Sequence, residues 1–259
     1  MNWQDTTGLL KLDRLGYTVL EALTTASLTP SATYSKPNAF VCIDGKTYWV
    51  KGTVQQGLVA ELIAGRLASS IGAGPAARII RVTPEAAPKD GSADHLLGVV
   101  VGSEDQPGMV NARDLSPLAS SGNFQPGLVE PESRARVIVF QSWLGVGDSQ
   151  VLVSLADGKV LSIDHGDCFG ALTSPAAPPV SVVTDIPGVS PDVGREAVHV
   201  LAAVARVEAV TDTDLLKAIA HVPIGDAWQS PTNRRLLIGR WLAERRDMLR
   251  GVMQSWIQP

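Results

Sequence analysis

Two Asp-Gly turns, far apart in the chain, each lie between short runs of strand-forming residues. Asp44-Gly45-Lys46 joins Ala39–Asp44 to Thr47–Lys51, and Ala156-Asp157-Gly158 joins Val151–Leu155 to Lys159–Ile163. Asp-Gly supplies the positive φ angles that a tight hairpin turn needs, so both segments read as antiparallel hairpins. Each hairpin runs into a charge. The first ends on Lys51 and the second leads straight into Asp164.

The segments around the hairpins differ in period. Leu58, Val59, Leu62, Ile63, Leu67 and Ile71 recur at helical spacing, and Gly72, Gly74 and Pro75 end that helix. Arg78–Thr83 and Leu96–Val101 read as strands around a Pro/Ala-rich loop. Gly102 to Gly127 is rich in Ser, Pro, Gly and Asn and reads as a lobe boundary or long connection. Beyond it, Glu132–Leu144, Gly194–Val210, Thr211–His221 and Pro231–Ile257 read as helices, and Ala171–Val193, with five prolines, as an extended loop. Strands with one helix come first; helices around a single hairpin follow. The fold class is α+β, with a small β-rich lobe over 1–103 and a larger, mostly helical lobe over 104–259. A cleft between lobes is the usual place for a ligand.

Composition narrows the partners. The chain of 259 residues has a net charge of -4, which disfavours a nucleic-acid partner. Arg234, Arg235, Arg240, Arg245, Arg246 and Arg250 form a basic stripe on the last helix, offset by Glu244 and Asp247, and read as a solvated face. No apolar run approaches the roughly 20 residues of a membrane span. The polar start, Met-Asn-Trp-Gln-Asp, has no signal-peptide order. Cys42 and Cys168 match no metal spacing and fit a reducing compartment; the expected location is the cytoplasm.

Four charged residues have types that suit phosphate chemistry. A strand lysine, Lys51, neutralises phosphates, and a glutamate one turn into the next helix, Glu61, holds such a lysine. Asp164, after an apolar strand, suits Mg2+, because hard cations prefer carboxylate oxygen. Asp148, after Gly145-Val146-Gly147, suits a base that accepts a hydroxyl proton. Taken singly, each has an ordinary counterpart: a solvated strand-end lysine, a surface glutamate, a turn aspartate. His165 reads as a packing histidine or backbone anchor.

The order of these features resembles the HipA-like protein kinases and the related phosphatidylinositol 3/4-kinase-like fold, over most of the chain. Gly45-Lys46-Thr47-Tyr48-Trp49-Val50-Lys51 is similar to that family's glycine turn and lysine strand. Ala60-Glu61-Leu62-Ile63-Ala64-Gly65-Arg66-Leu67-Ala68 resembles its first main helix. Ile163-Asp164-His165-Gly166 with Phe169 resembles its metal-binding motif, and Arg240-Trp241-Leu242-Ala243-Glu244-Arg245-Arg246 its closing helix. The resemblance implies a two-lobed kinase fold using ATP and Mg2+. It implies Lys51 on the phosphates, Glu61 on Lys51, Asp164 on metal and Asp148 as base. The adenine falls beside Val101 and a hinge at Gly102-Ser103, and the phosphate-covering loop at Thr33 to Lys36.

Two departures from the family stand out. The covering loop has no glycine, so Ser31, Thr33 and Ser35 hydroxyls and Lys36 take its place. The catalytic loop is short: Ser149 stands where a basic residue often follows the aspartate, and Gln150 where a metal-binding asparagine belongs. Two readings remain open. One is an ATP-dependent kinase acting on a protein Ser/Thr or small-molecule hydroxyl. The other is a nucleotide-binding pseudokinase, with Asp148 ligating metal and no base present.

Overall fold

The computed structural model describes residues 2–26, 39–52, 57–114, 129–169, 179–184, 194–223, 228 and 230–258. It is an α+β fold built on two sheets. The first is a closed barrel of β1 (Val19–Thr25), β2 (Ala39–Cys42), β3 (Thr47–Lys51), β4 (Ala77–Val82) and β5 (Gly98–Glu104), in the order β1-β2-β3-β5-β4. The second has three strands, β6 (Met109–Asn111), β7 (Gln150–Ser154) and β8 (Val160–Ile163). The helices are α1 (Thr7–Arg14), α2 (Leu58–Ile71), α3 (Pro131–Leu144), α4 (Ala197–Glu208), α5 (Asp212–Ile219) and α6 (Thr232–Ile257).

Both hairpins form where the Asp-Gly turns predict. Gly45 and Gly158 take positive φ, and the Asp44 and Asp157 carboxylates accept from the backbone two residues on. The barrel interior is filled by Phe40, Cys42, Tyr48, Val50, Ile80 and Val100. It closes because β1 pairs antiparallel with β2 and parallel with β4. Helix α2 is buried nearly all round, as its dense apolar sequence demands. Leu58 and Leu62 pack on Ala77, Ile79 and Val101 of the barrel. Ile63, Ala64 and Leu67 face the helical core with Val139, Phe140, Val204, Leu242 and Leu249. Glycines cap α2 at both ends: Gly57 and Gly72 adopt left-handed backbone. A Cβ on Gly57 would overlap the carbonyl oxygen of Gly166, so α2 begins in direct backbone contact with the segment after β8.

Several expectations change. The strand read over Leu96–Val101 begins later, at Gly98, after a 3-10 turn at Asp94–Leu96, and runs on to Glu104. Gly102-Ser103 is therefore strand and not a hinge. Gly102 faces inward, where a Cβ would overlap Ile80, so its smallness serves barrel packing. Helix α1 and strand β1 are not among the elements expected from sequence. Leu9 of α1 lies in the helical core, and Asp13 pairs with Arg235 of α6 at 2.7 Å. Helix α1 thus packs on the helices and not on the barrel.

The arginine stripe on α6 is only in part a solvated face: Arg234 is exposed and Arg240 and Arg250 are half-exposed. Arg235 and Arg245 are buried. Arg246 pairs with Asp212 and Arg250 with Glu208, while Arg240 pairs with Glu244 within the helix. Trp228 is buried, and its indole N–H donates to the Val99 carbonyl. Cys42 and Cys168 are free and buried. Among the described residues, no helix is long and apolar enough to cross a membrane.

Candidate active site

Lys51 ends β3, and cross-strand pairing sets it opposite Val101 on β5. Its ammonium donates to Glu61 Oε2 at 2.6 Å and also to Asp164 Oδ1. Glu61 comes from the buried face of α2, one turn after its start. Asp164 follows β8 in left-handed backbone, which aspartate tolerates better than most residues. That conformation turns the chain so that the Asp164 carboxylate meets β3. One lysine therefore ties the barrel, α2 and the second sheet together.

The contacts continue on the far side of Asp164. Gln150, the first residue of β7, donates its amide to Asp164 Oδ2 at 2.8 Å and to Asp148 Oδ2 at 3.4 Å. Arg113, from a 3-10 turn at Ala112–Asp114, donates one nitrogen to both Asp148 oxygens at 2.6 and 2.8 Å. The backbone N–H of Asp148 donates to Asp167. Glu61, Lys51, Asp164, Gln150, Asp148 and Arg113 are thus joined in one line of contacts across the two sheets.

A buried polar network backs this line. Gln141 of α3 donates to Ser162 Oγ at 2.9 Å and accepts from Ser149 Oγ at 2.7 Å. Ser162 Oγ bonds His165 Nε2 at 2.8 Å. The His165 backbone N–H donates to Glu61 Oε2, and its ring stacks edge-on against Phe140. His165 combines the two roles read for it: its buried ring packs on Phe140 of α3 and its backbone N–H anchors Glu61.

Arg245 holds the loop from beneath. It is 2 % exposed and donates to the carbonyls of Trp143, Ser142 and Pro179, the first two at the C-terminus of α3. Helix α3 ends on Gly145 in left-handed backbone, and Asp148 follows three residues later.

Electrostatics fix the charge states. Burial pushes the Glu61 carboxyl up, but the His165 bond and the Lys51 charge overcome it and hold its pKa at about 2. Burial pushes Lys51 down, and the Glu61 and Asp164 carboxylates more than reverse this, so it stays protonated above its ordinary range. Glu61 titrates lower folded than unfolded, so its ionised form stabilises the fold at neutral pH. That contribution is complete above the ordinary value of 4.5 and is lost as pH falls towards about 2. Urea midpoints measured down this range will fall more steeply for the native chain than for Glu61→Gln; equal slopes would contradict the assignment.

The residues named from sequence divide as follows. Lys51, Glu61, Asp148, Gln150 and Asp164 are brought together. Ser103 faces the same cluster and its hydroxyl lies 3.4 Å from Glu61 Oε1, so it meets the helix glutamate. Val101 is fully buried against Leu58 and Leu62 and offers no exposed surface for a base. Ser31, Thr33, Ser35 and Lys36 lie outside the described residues. Arg113, Gln141, Ser149, Ser162 and Asp167 were not expected as partners. No local signal marks them, because each meets its partner through sheet pairing or helix packing.

The donor set fits a cation carried by phosphate. Mg2+ keeps phosphate and water oxygens and takes only one or two protein carboxylates. Asp164 and Asp148, bridged by Gln150, provide two. Among the described residues, no cluster of three or more His, Cys, Asp or Glu could hold a metal unaided.

The fold is a kinase fold. A crystal structure of the Helicobacter pylori proinflammatory kinase CtkA is similar with a TM-score of 0.52 and 13 % identity, over 93 % of this chain and 98 % of that one. The golgi casein kinase is similar at a TM-score of 0.41 and 11 % identity, over 96 % of this chain and 76 % of that one, too slight to add to the argument. A search of curated protein sequences returns no match. The family model described as HipA-like kinase matches residues 30–170, more than half of the chain. This chain belongs to the HipA-like kinase family.

Proposed function

We propose that the protein is an ATP-dependent phosphotransferase that passes the γ-phosphoryl group of ATP to a hydroxyl, on a protein Ser/Thr or a small molecule. The observation that carries the reading is Lys51, held between Glu61 of α2 and Asp164 of the second sheet. A cation fixed by two carboxylates from separate elements is preorganised for phosphate, and phosphoryl transfer depends mainly on positioning and charge neutralisation.

The barrel, whose last strand ends at Glu104, and α2 act as the small lobe, essentially 1–103, and the second sheet with α3 to α6 as the large lobe, within 104–259, with α1 packed on its helices. Lys51 binds the α/β-phosphates and Glu61 keeps it in place. Asp164 would hold Mg2+, with Gln150 or Asp148 beside it; when bound, the ion neutralises charge on the phosphates. Asp148 accepts the acceptor's hydroxyl proton. The base lies by Ser103 and the strand end at Glu104-Asp105, and Ser35 and Lys36 cover the phosphates. The family match and the two free cysteines favour a cytoplasmic enzyme.

A second reading, a pseudokinase, is favoured by one observation. Both oxygens of Asp148 face Arg113, and Gln150 turns its amide N–H group, not its carbonyl, to Asp164. Incubation with labelled ATP separates the two. The kinase reading expects ADP release or autophosphorylation that drops about a hundredfold or more in Asp148→Ala. Mg-ATP binding without turnover would leave the pseudokinase; no binding would remove both.

A further inference from the structure

We infer that Arg113 is the cation that holds the transferring phosphoryl group, supplied from outside the catalytic loop because that loop carries none. The inference rests on the nucleotide reading above. Between Asp148 and Lys159 the chain has no basic residue, so the loop itself cannot place a cation on the phosphate next to its aspartate. Sheet pairing supplies one. Strand β6 runs antiparallel to β7 with Asn111 opposite Leu152. Two residues on, in the 3-10 turn, Arg113 reaches the Asp148 carboxylate that Gln150 also contacts, at the end of the line of contacts. Its backbone is fixed there by a bond from its N–H to the side chain of Asn111, which is buried.

Charge balance favours a second protein cation beside the metal ion. Lys51 already serves two carboxylates, Glu61 and Asp164. The constellation also includes Asp148 and Asp167. A triphosphate adds several negative charges to this set. Among the described residues, Lys51 and Arg113 are the lysine and arginine side chains in these contacts. The Arg113–Asp148 pair is open to solvent, with side chains 38 % and 58 % exposed. Such pairs are weak, whereas a guanidinium binds phosphate oxygens strongly and with fixed geometry.

Arg113 therefore exchanges Asp148 for the γ-phosphoryl group when nucleotide enters. The exchange frees the Asp148 carboxylate for its own part. The acceptor oxygen bonds to the γ-phosphorus. The bond from phosphorus to the bridging oxygen breaks, and its electron pair stays on the departing ADP. The hydroxyl proton passes to Asp148, and Arg113 offsets charge on the group in transit.

Binding of Mg-ADP and of Mg-AMP-PNP, a non-hydrolysable triphosphate, to the whole chain tests this. Arg113→Gln is expected to weaken Mg-AMP-PNP by about tenfold or more and to leave Mg-ADP unchanged. Arg113→Lys should recover part of the loss, and turnover in Arg113→Gln should fall about a hundredfold or more. An unchanged melting temperature in Arg113→Gln checks that the variant folds. Equal loss for both nucleotides, or none, overturns the inference. So does faster turnover in Arg113→Gln at an unchanged affinity ratio, which would make Arg113 only a latch on Asp148. If the native chain binds neither nucleotide, the nucleotide reading fails, and this inference with it. If it binds both and only the ratio test fails, the nucleotide reading stands alone.

Discussion

Lys51→Met will abolish the rise in melting temperature that Mg-ATP gives the native chain, and will also destabilise the protein without nucleotide. The two losses have different causes. The first follows from removing the cation proposed to bind the phosphates. The second follows from Glu61, which is 2 % exposed and would be left ionised beside no cation. Removing one partner of a buried pair typically costs about 3–5 kcal/mol. Here the lysine is partly open to solvent and the His165 backbone N–H stays on Glu61, so the expected loss is about 2–3 kcal/mol.

A second variant separates the two effects. Lys51→Met/Glu61→Gln removes the stranded charge, so it should regain much of the stability in urea unfolding and none of the Mg-ATP response. Asp164→Ala should lose the same response while keeping the Lys51–Glu61 pair. A native-like nucleotide shift in either Lys51 variant would remove Lys51 from the phosphate site.

Arg245→Met is expected to be the most destabilising single change on α6, by about 3 kcal/mol. The guanidinium is buried over the Trp241 ring, 4.6 Å from its centroid. It donates to two carbonyls at the end of α3 and to Pro179. Helix ends leave carbonyls without partners inside the helix, and here one side chain supplies two of them. Burial lowers the arginine's pKa to about 10, so the charge is costly to bury although it persists at neutral pH.

Methionine fills similar volume but cannot donate. The carbonyls of Ser142 and Trp143 would lose their side-chain donor, and the Gly145–Asp148 turn would lose its support. Unfolding in guanidinium chloride measures the first effect, and turnover measures the second. Arg240→Met is the control on the same helix. Arg240 is half-exposed and among the described residues pairs with Glu244 of its own helix, so its loss should stay within about 0.5 kcal/mol. Similar losses for the two arginines would mean that Arg245 does not support the loop.

The contrast between these arginines shows what reading the chain could and could not reach. Arg240 and Arg245 look alike in sequence, both charged and both on the last helix. Only packing separates them, because α3 ends against one face of α6 and not against the other. Arg235, buried beside Asp13, was hidden for the same reason: its partner lies more than two hundred residues away. Strand β1 is not legible locally because Val-Leu-Glu-Ala-Leu-Thr-Thr has no strict alternation, and its second partner, β4, is parallel and distant.

Local signals served better. The Asp-Gly turns, the glycines that end α2 and the dense apolar pattern from Leu58 to Ile71 decide their structures within a few residues, and they place Lys51, Glu61 and Asp164 at or near the ends of elements. Sequence alone therefore determined the two hairpins, the main helix and the charged residues at their ends. Tertiary structure alone decided which of those charges meet: the line from Glu61 to Arg113, the depth of Glu61, and the arginine beneath the Gly145–Asp148 turn. The physical reason is range. Turns and caps depend on φ and ψ of adjacent residues, whereas an ion pair depends on how the barrel, α2 and the second sheet pack to bring distant carboxylates and cations within bonding distance.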